Sequence, residues 1–433
     1  MKPLCVISCP IDTFSGYGAR SRDFVKSLIE LKDKEWDIKI IPQKWGDCPW
    51  NFLPQDDPLK QRFIGGLQQQ PDVWIQITVP NEFQRVGKFN IGISAGIETN
   101  LYPGEFIEGS NRMDLNLVSS EHSKQIALNT QFDKINTDTN QKVGIIKLEK
   151  PIEVLFEGLD LDKYYKKSTS SKLNILKDIK EEFCFLHTGH WLPGIFGESR
   201  KNTATLIKTF LETFNGPGRK KPALILKCNQ VNYSLLDREN LIRQINRIRD
   251  MVSGNLPNIY LLHGEMTDEE MNQLNNNPKV KAFISFTKGE GYGRPLAEAA
   301  ITGKPVITTN WSGHLDFIHP DYNILIGGEL KNVHESAANQ FLLKESQWFN
   351  IDTNIANRAI KDVFKNYKKY WEKSRKQTQY LKNNFSFDKM TEKLNSLLPK
   401  IEPAPQMQPL TLPKLKKTEL PKLKLPKLKK INA

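Results

Sequence analysis

Two carboxylates on a glycine-rich stretch are the residues of this sequence best suited to chemistry. Residues 289–298 read Gly-Glu-Gly-Tyr-Gly-Arg-Pro-Leu-Ala-Glu, and seven residues separate Glu290 from Glu298. The apolar run 280–286 just before them predicts a buried strand, followed by a glycine loop and a helix start. Such a loop directs backbone N–H groups at an anion, and the helix dipole adds about half a positive charge. Acids repel phosphate, so we expect these two to hold hydroxyls; phosphate plus hydroxyls indicates a sugar nucleotide.

Length and composition describe an ordinary globular protein. The 433 residues are enough for two or three domains with their own cores, and 38% of them are hydrophobic. No apolar run approaches the ~20 residues of a membrane span, and the start lacks the apolar core of a signal peptide. Five scattered cysteines have no metal-binding or redox spacing, which favours reduced thiols. We therefore expect a cytoplasmic protein with no metal site.

Positive charge is concentrated in a tail at residues 401–433. The net charge of the chain is +13, and this tail alone holds eight lysines and two acids. Leu-Pro-Lys-Leu-Lys recurs in it, and its prolines exclude a continuous helix, so we expect a disordered basic tail. A solvated tail is the simplest interpretation, and a weak membrane-surface contact through 412–430 is the functional alternative. Nucleic acid is disfavoured because no aromatic residue lies between the lysines.

Short apolar runs alternate with helical patterns along most of the chain. In the first part, strands are predicted at 4–8, 38–41, 73–78, 89–94 and 115–119, and helices at 19–31 and 120–129. A second series has predicted strands at 154–155, 183–186, 223–227, 259–262, 282–287 and 306–309, and helices at 201–214, 237–252, 268–276 and 295–302. This alternation favours parallel sheets covered on both faces. The fold class is therefore α/β, with two doubly wound domains in tandem.

The remaining segments complete the predicted organisation. Residues 130–148 are polar without a clear period and are interpreted as an excursion loop, and residues 356–398 have a helical pattern. The predicted units are then 1–152, 153–365, the helices of 366–400 and the tail of 401–433.

The motifs resemble those of retaining glycosyltransferases of family 4, which have the GT-B fold. The family's Glu-x7-Glu motif resembles residues Glu290 to Ala299. Two further stretches typical of the family follow, Gly-Lys-Pro-Val-Ile from residue 303 and Trp-Ser-Gly from residue 311. The segment 156–160 looks like the family's linker between domains, and Glu98-Thr99 with the later Pro103 is similar to a subgroup motif. The resemblance covers roughly residues 1–398. It implies two Rossmann-like domains facing across a cleft, with the acceptor toward the first, the donor nucleotide on the second, and the last helix crossing back.

The resemblance also implies roles for individual residues. Glu290 would lie near the donor sugar, Glu298 would receive the ribose hydroxyls, and Lys201 would pair with the leaving diphosphate. The family usually has a second cation at the position of His190, so Arg200 or Lys227 is the candidate replacement. Glu98 stands where many members have a catalytic histidine. The other donor-site candidates surround these: Gly291, Tyr292, Gly293, Arg294, Pro295, Gly16, Gly18, His263 and Gly264.

Each assignment has a structural alternative. The two glutamates could merely stabilise a helix through its dipole, and Gly16 and Gly18 could form a simple tight turn. The candidate cations Arg200, Lys201 and Lys227 could lie on the surface. For the whole chain, the resemblance predicts a metal-independent, retaining hexosyltransferase-type enzyme that uses a UDP- or GDP-sugar, needs no cofactor, and has a glycan, lipid or protein acceptor. The alternatives are a GT-B epimerase or phosphorylase, or a non-catalytic binding protein whose basic tail contacts membrane or nucleic acid.

Overall fold

Two six-stranded parallel sheets form the body of the protein, as seen in a computed structural model. The structure describes residues 2–136, 138–167, 176–218 and 220–401. The predicted basic tail lies outside these residues, apart from Ile401.

The first sheet contains β1 (Leu4–Cys9), β2 (Asp37–Pro42), β3 (Val73–Ile77), β4 (Phe89–Ile93), β5 (Leu115–Val118) and β8 (Ile152–Val154), in the order β2-β1-β3-β4-β5-β8. Three helices accompany it: α1 (Gly16–Lys32), α2 (Gly104–Asn111) and α3 (Glu121–Asn129). The sheet buries its apolar strands against α1, through Phe24, Val25 and Leu28. The near-continuous apolar strands are typical of a parallel sheet with both faces covered.

The second sheet repeats this design. It contains β9 (Cys184–His190), β10 (Ala223–Asn229), β11 (Ile259–Leu262), β12 (Val280–Ile284), β13 (Val306–Thr309) and β14 (Ile324–Ile326), in the order β11-β10-β9-β12-β13-β14. Its helices are α4 (Thr203–Thr213), α5 (Leu235–Asp250), α6 (Asp268–Asn276) and α7 (Arg294–Ile301). Separate apolar clusters cover its two faces. The α6 helix begins with a capping box between Thr267 and Glu270, at the N-cap that the sequence predicts.

Three helices end the described chain: α8 (Thr353–Lys365), α9 (Tyr367–Asn384) and α10 (Phe387–Leu397). The α9 helix lies on the second domain, where Gln377 donates to the Phe317 carbonyl at 2.7 Å. The α10 helix packs on α1 of the first domain, where Ser27 Oγ donates to Thr391 Oγ1 at 2.8 Å. The chain therefore returns to the first domain through α10.

Two predictions from the sequence are wrong in detail. The segment interpreted as an excursion loop forms an antiparallel hairpin of β6 (Gln131–Ile135) and β7 (Lys142–Lys147). Its short, mostly exposed strands lack an apolar alternation, which is why the pattern did not indicate them. The strand predicted at 154–155 is β8, which pairs with β5 in the first sheet, so the boundary placed after residue 152 falls inside it. A second hairpin, β15 (Gly328–Asn332) with β16 (Gln347–Ile351), was not predicted.

Candidate functional site

A cleft of about 550 Å³ lies between the two sheets. In each sheet the strand order reverses once, between β1 and β3 in the first and between β9 and β12 in the second. Ligands of doubly wound folds bind beyond the carboxyl ends of the strands at such reversals. The cleft occupies this position in both domains, because Ser15 and Gly16 follow β1 and Gly189 and His190 end β9.

Glu290 is the centre of a buried group of opposite charges. Its Oε1 lies 2.5 Å from Lys201 Nζ, and its Oε2 lies 3.1 Å from Arg200 Nη1. Arg200 Nη2 is in turn 3.6 Å from Glu98 Oε1, on the opposite domain. Both cations precede α4, and Glu290 follows β12, so neighbouring strand ends supply the group. The structure thus brings together the three residues predicted to be catalytic, Glu290, Lys201 and Glu98. Arg200, a predicted donor-binding residue, lies between the two acids.

The charge of Glu290 is fixed by its two cations. Burial by itself would raise the pKa of this carboxyl, but the positive charges of Lys201 and Arg200 hold it at about 2. Burial lowers the pKa of Lys201, and the nearby negative charge of Glu290 opposes that effect. Glu290 is therefore a permanent carboxylate near neutral pH, which can accept hydrogen bonds and cannot donate a proton.

A hydrogen-bonded chain holds the backbone of Glu290. His314 Nε2 lies 2.8 Å from the Thr309 carbonyl oxygen, which can only accept, so this nitrogen carries the proton. His314 Nδ1 then accepts from the Ser312 hydroxyl at 3.3 Å, and the same hydroxyl accepts from the Glu290 N–H at 3.0 Å. Burial lowers the pKa of His314, which keeps it in this neutral form. Ser312 has a φ of 85°, unusual for a residue with a side chain, and these bonds stabilise it there.

The glycines around Glu290 allow the two domains to touch. A Cβ on Gly289 would lie 1.9 Å from the Glu98 carbonyl oxygen, and a Cβ on Gly291 would lie 1.9 Å from the Ala95 carbonyl oxygen. Both distances are far inside van der Waals contact, so only glycine fits at either position. Within the described part of the chain, the backbone N–H groups of Gly291, Tyr292 and Gly293 donate to no protein acceptor. The loop therefore both closes the interface and keeps backbone donors available.

Glu298 lies one turn into α7, and Arg294 accompanies it. Arg294 Nε lies 3.1 Å from Glu298 Oε1, while its Nη1 lies 2.8 Å from Asp23 Oδ2 and 3.4 Å from Glu157 Oε2. Arg294 thus links the second domain to α1 and to the segment between the domains. Burial raises the pKa of Glu298 to about 7; Asp268 adds to the rise, and Arg294 opposes it.

Lys227, His263 and Gly264 form one unit at the ends of β10 and β11. Lys227 Nζ donates to the Gly264 carbonyl at 2.6 Å, and it borders the cleft together with Tyr233. The His263 imidazole is directed at Asp237, with Nε2 and Oδ2 2.9 Å apart. The His263 side chain is buried, so its backbone is the part that can face a ligand, and a Cβ on Gly264 would meet nothing within 4 Å.

The other predicted site residues divide between the cleft and the interior. Gly16 and Pro295 border the cleft. Gly18 lies in the first turn of α1, where a Cβ would be 2.4 Å from the Thr13 carbonyl oxygen, so the start of the helix packs closely against the loop after β1. The Tyr292 ring is buried against Phe317, with ring centroids 4.6 Å apart. Tyr292 can therefore offer a ligand only its backbone.

Several residues in and beside the cleft escaped the sequence interpretation. Asp23 and Glu157 contact Arg294 from 271 and 137 positions away, and no local pattern indicates such pairs. Phe14, Trp45 and Phe52 border the cleft from the first domain. The single sequence signal for them is the presence of aromatic residues among the polar and turn-forming residues of the segments that follow β1 and β2.

The described residues contain no group of three or more His, Cys, Asp or Glu side chains that could hold a metal ion. None of the helices in the described ranges is long and apolar enough to cross a membrane.

The architecture is that of GT-B proteins, and solved structures of that fold superpose on most of the chain. Alr3699/HepE of Anabaena, solved in complex with UDP-glucose, aligns with a TM-score of 0.58 at 13% identity, covering 91% of this chain and 99% of its own. A glycosyltransferase of Rickettsia africae aligns with a TM-score of 0.58 at 13% identity, covering 92% and 97%. Sucrose-phosphate synthase of Thermosynechococcus elongatus aligns with a TM-score of 0.57 at 11% identity, covering 92% and 98%.

These likenesses establish the GT-B fold. No family model matches the chain, and no curated protein sequence is similar enough to count as a relative.

Proposed function

We propose that the protein is a glycosyltransferase that moves a sugar from a nucleotide-sugar donor to an acceptor hydroxyl. The observation that carries the proposal is the buried group of Glu290, Lys201 and Arg200 where the two GT-B domains meet, with Lys201 packed beside Gly189, which borders the cleft. The structural neighbours support it, because Alr3699/HepE, which has the same fold, was solved in complex with UDP-glucose. The donor is a UDP- or GDP-sugar, and the reaction is the metal-independent, retaining one of family 4.

The two cations stabilise the leaving diphosphate. Lys201 and Arg200 both point at one carboxylate, so a diphosphate entering there meets two preorganised charges. Arg200 is the second cation, because it shares the Glu290 carboxylate with Lys201, whereas Lys227 is bonded to the Gly264 carbonyl. The free N–H groups at the start of α7 add the helix-terminal donors that suit an anion. Such donors in a buried site are often worth ~10²–10³ in rate each.

The two acids hold hydroxyls of the donor. Glu298, a turn further along α7, accepts from the ribose hydroxyls, and the ionised Glu290 accepts from the donor sugar. Glu98 reaches the same group from the first domain and faces the acceptor side. Its carboxylate stabilises positive charge that develops on the anomeric carbon.

The reaction is a substitution on one face of the sugar. The bond from the anomeric carbon to the diphosphate oxygen breaks, and its electron pair leaves with the phosphate. The acceptor oxygen forms its new bond to the anomeric carbon on the same face, which retains the configuration. The acceptor proton passes to the departing phosphate oxygen, so no side chain has to act as a general base.

Proton NMR of the purified protein with UDP-glucose or GDP-mannose tests the proposal, with water as the acceptor in the absence of another. The expected products are nucleotide diphosphate and free sugar, appearing first as the donor's own anomer, at a rate unaffected by EDTA. Glu290→Ala and Lys201→Ala should abolish this release while circular dichroism still shows folded proteins, with melting temperatures lowered because a buried charge loses its partner.

The same spectra distinguish the other GT-B activities. An epimerase would convert the donor to an isomeric nucleotide sugar, and a phosphorylase would form sugar phosphate only when inorganic phosphate is added. Persistence of every nucleotide sugar tried, with no binding by calorimetry, would contradict the proposal. Binding without any turnover, both in water and with simple pyranosides added as acceptors, would favour a non-catalytic protein.

A further inference from the structure

Three aromatic side chains form a wall on the first-domain side of the cleft. This aromatic wall consists of Phe14, Trp45 and Phe52, all of which border the cavity. Trp45 stacks on Tyr17, with ring centroids 4.0 Å apart and planes at 28°. Phe14 meets Phe52 edge to face at 5.0 Å, and Phe14 is 41% exposed. An apolar surface is therefore open to the cleft in a part of the protein that otherwise presents charge.

The aromatic wall is held rigidly. The Phe14 N–H donates to the Pro49 carbonyl at 3.0 Å, and the Phe52 N–H donates to the Asp12 carbonyl at 3.1 Å. The Arg22 guanidinium lies over the Phe52 ring, 3.5 Å from its centroid. Arg22 is fixed in turn, because its Nη1 donates to the Ile11 carbonyl. Preorganisation of this kind lowers the entropy cost of binding, which suits a ligand site better than a mobile loop.

A short chain of contacts joins the aromatic wall to the loop that carries Glu290. The Tyr17 hydroxyl, beneath Trp45, accepts from the Ala95 N–H at 3.0 Å. The Ala95 carbonyl is the group that approaches Gly291 so closely that no Cβ fits there. Three contacts therefore connect Trp45 with the loop that carries Glu290: Trp45 with Tyr17, Tyr17 with Ala95, and Ala95 with Gly291. A ligand resting on Trp45 would lie on the first-domain side of the cleft, which the proposed function assigns to the acceptor.

We propose that Trp45 and Phe14 bind a pyranose ring of the acceptor, so that the acceptor is a glycan or glycoside. This inference rests on the proposed function. The C–H groups on one face of a pyranose carry slight positive charge, and the face of an aromatic ring is negative, so the two attract while apolar area is buried. Ser15 and Asp23 border the cavity beside the aromatic wall and supply partners for the ring's hydroxyls. An open-chain polyol or a serine hydroxyl offers no such flat face.

Saturation-transfer NMR on the full chain, with saturating UDP, tests the proposal directly. The probes are the methyl pyranosides of glucose, galactose, mannose and N-acetylglucosamine, with sorbitol as the ring-free control. At least one pyranoside should show saturation of its ring C–H protons several-fold above sorbitol. Trp45→Ala should reduce that signal at least fivefold, and Trp45→Phe should keep most of it because a ring remains.

Trp50→Ala is the matched control, because Trp50 lies in the same loop and does not border the cavity. It should leave the pyranoside signal unchanged. Equal signals for pyranosides and sorbitol, or an unchanged signal in Trp45→Ala, would overturn the proposal. So would a fivefold loss of UDP affinity in Trp45→Ala, because the aromatic wall would then hold the nucleobase. Failure of the proposed function looks different, since the parent protein itself would then bind no nucleotide sugar.

Discussion

At the scale of residues, Glu290 is paired with charges that its proposed ligand also needs. Lys201 and Arg200 neutralise Glu290 in the free protein, and in the proposed complex they face a diphosphate as well. The carboxylate then keeps two like charges close together and desolvated until the donor arrives. This arrangement predicts that removing the charge of Glu290 and removing the charge of Lys201 have opposite effects on donor binding.

Glu290→Gln should bind UDP-glucose at least as tightly as the parent, because Lys201 and Arg200 lose their internal competitor. Lys201→Ala should bind it at least tenfold more weakly, and its kcat/KM should fall ~10²–10³-fold. Calorimetry and initial rates measure the two effects, and Lys208→Ala, an exposed cation on α4, is the control. Parallel losses of affinity in both variants would rule out the assigned roles.

Glu298 should make donor binding depend on pH. Its pKa is raised to about 7 by burial, and hydroxyls bind best to the ionised form. Below pH 7 the free protein must release a proton before it can bind, so affinity for UDP-glucose should fall up to tenfold per pH unit. Affinity should therefore rise from pH 6 to pH 7 and level off near pH 8.

Titrations of Glu298→Gln provide the comparison, because a neutral amide cannot change charge. Its affinity should be lower than that of the parent at pH 8 and should be the same at pH 6 and pH 8. A nucleotide sugar is the right probe, because its diphosphate has no ionisation in this range. A pH dependence that survives in Glu298→Gln would assign the effect to another group.

At the scale of elements, the loop after β12 is both a ligand loop and a domain contact. The sequence indicates the first role through its glycines and helix start, and the structure adds the second through Ala95 and Glu98. The second role depends on residues almost 200 positions away, and no local pattern contains that information.

Gly291→Ala should therefore disrupt the contact between the two domains without unfolding either domain. The added Cβ would meet the Ala95 carbonyl oxygen at 1.9 Å, so the domains must move apart, while each domain keeps its own core. We expect at least a hundredfold loss of transfer with a small loss of thermal stability, and a larger radius of gyration by X-ray scattering. Gly65→Ala, which meets nothing within 4 Å, should match the parent in all three measurements. Unchanged scattering and activity in Gly291→Ala would show that the contact is dispensable.

The elements also show where sequence interpretation succeeds and fails. The α6 helix was predicted with its observed bounds, because a strong N-cap marks its start. Every strand of the two sheets except the three-residue β14 was predicted to within a few residues, because these strands form continuous apolar runs. The β6–β7 hairpin was missed because most of its side chains are exposed, which removes the alternation that identifies a strand. The β15–β16 hairpin escaped in the same way, since every residue of β15 is exposed.

At the scale of the whole molecule, charged contacts connect the donor side to the first domain. Arg294 joins Glu298 to Asp23, and Arg200 joins Glu290 to Glu98, so each proposed donor-binding acid shares a cation with the opposite domain. The site residues of the second domain could be predicted from their motif. These pairings could not, because they depend on how two separate sheets face each other.

The central claim is that the loop from Glu290 to Glu298 binds a nucleotide sugar with the help of Lys201. Isothermal titration of the full chain with UDP-glucose, UDP-N-acetylglucosamine and GDP-mannose tests it most directly, in parallel with Lys201→Ala, Glu298→Ala and the control Lys208→Ala. We predict one-site binding of at least one donor, weakened at least tenfold in the first two variants and unchanged in the control. Absence of binding by all three donors, or equal affinity in all four proteins, would contradict the account.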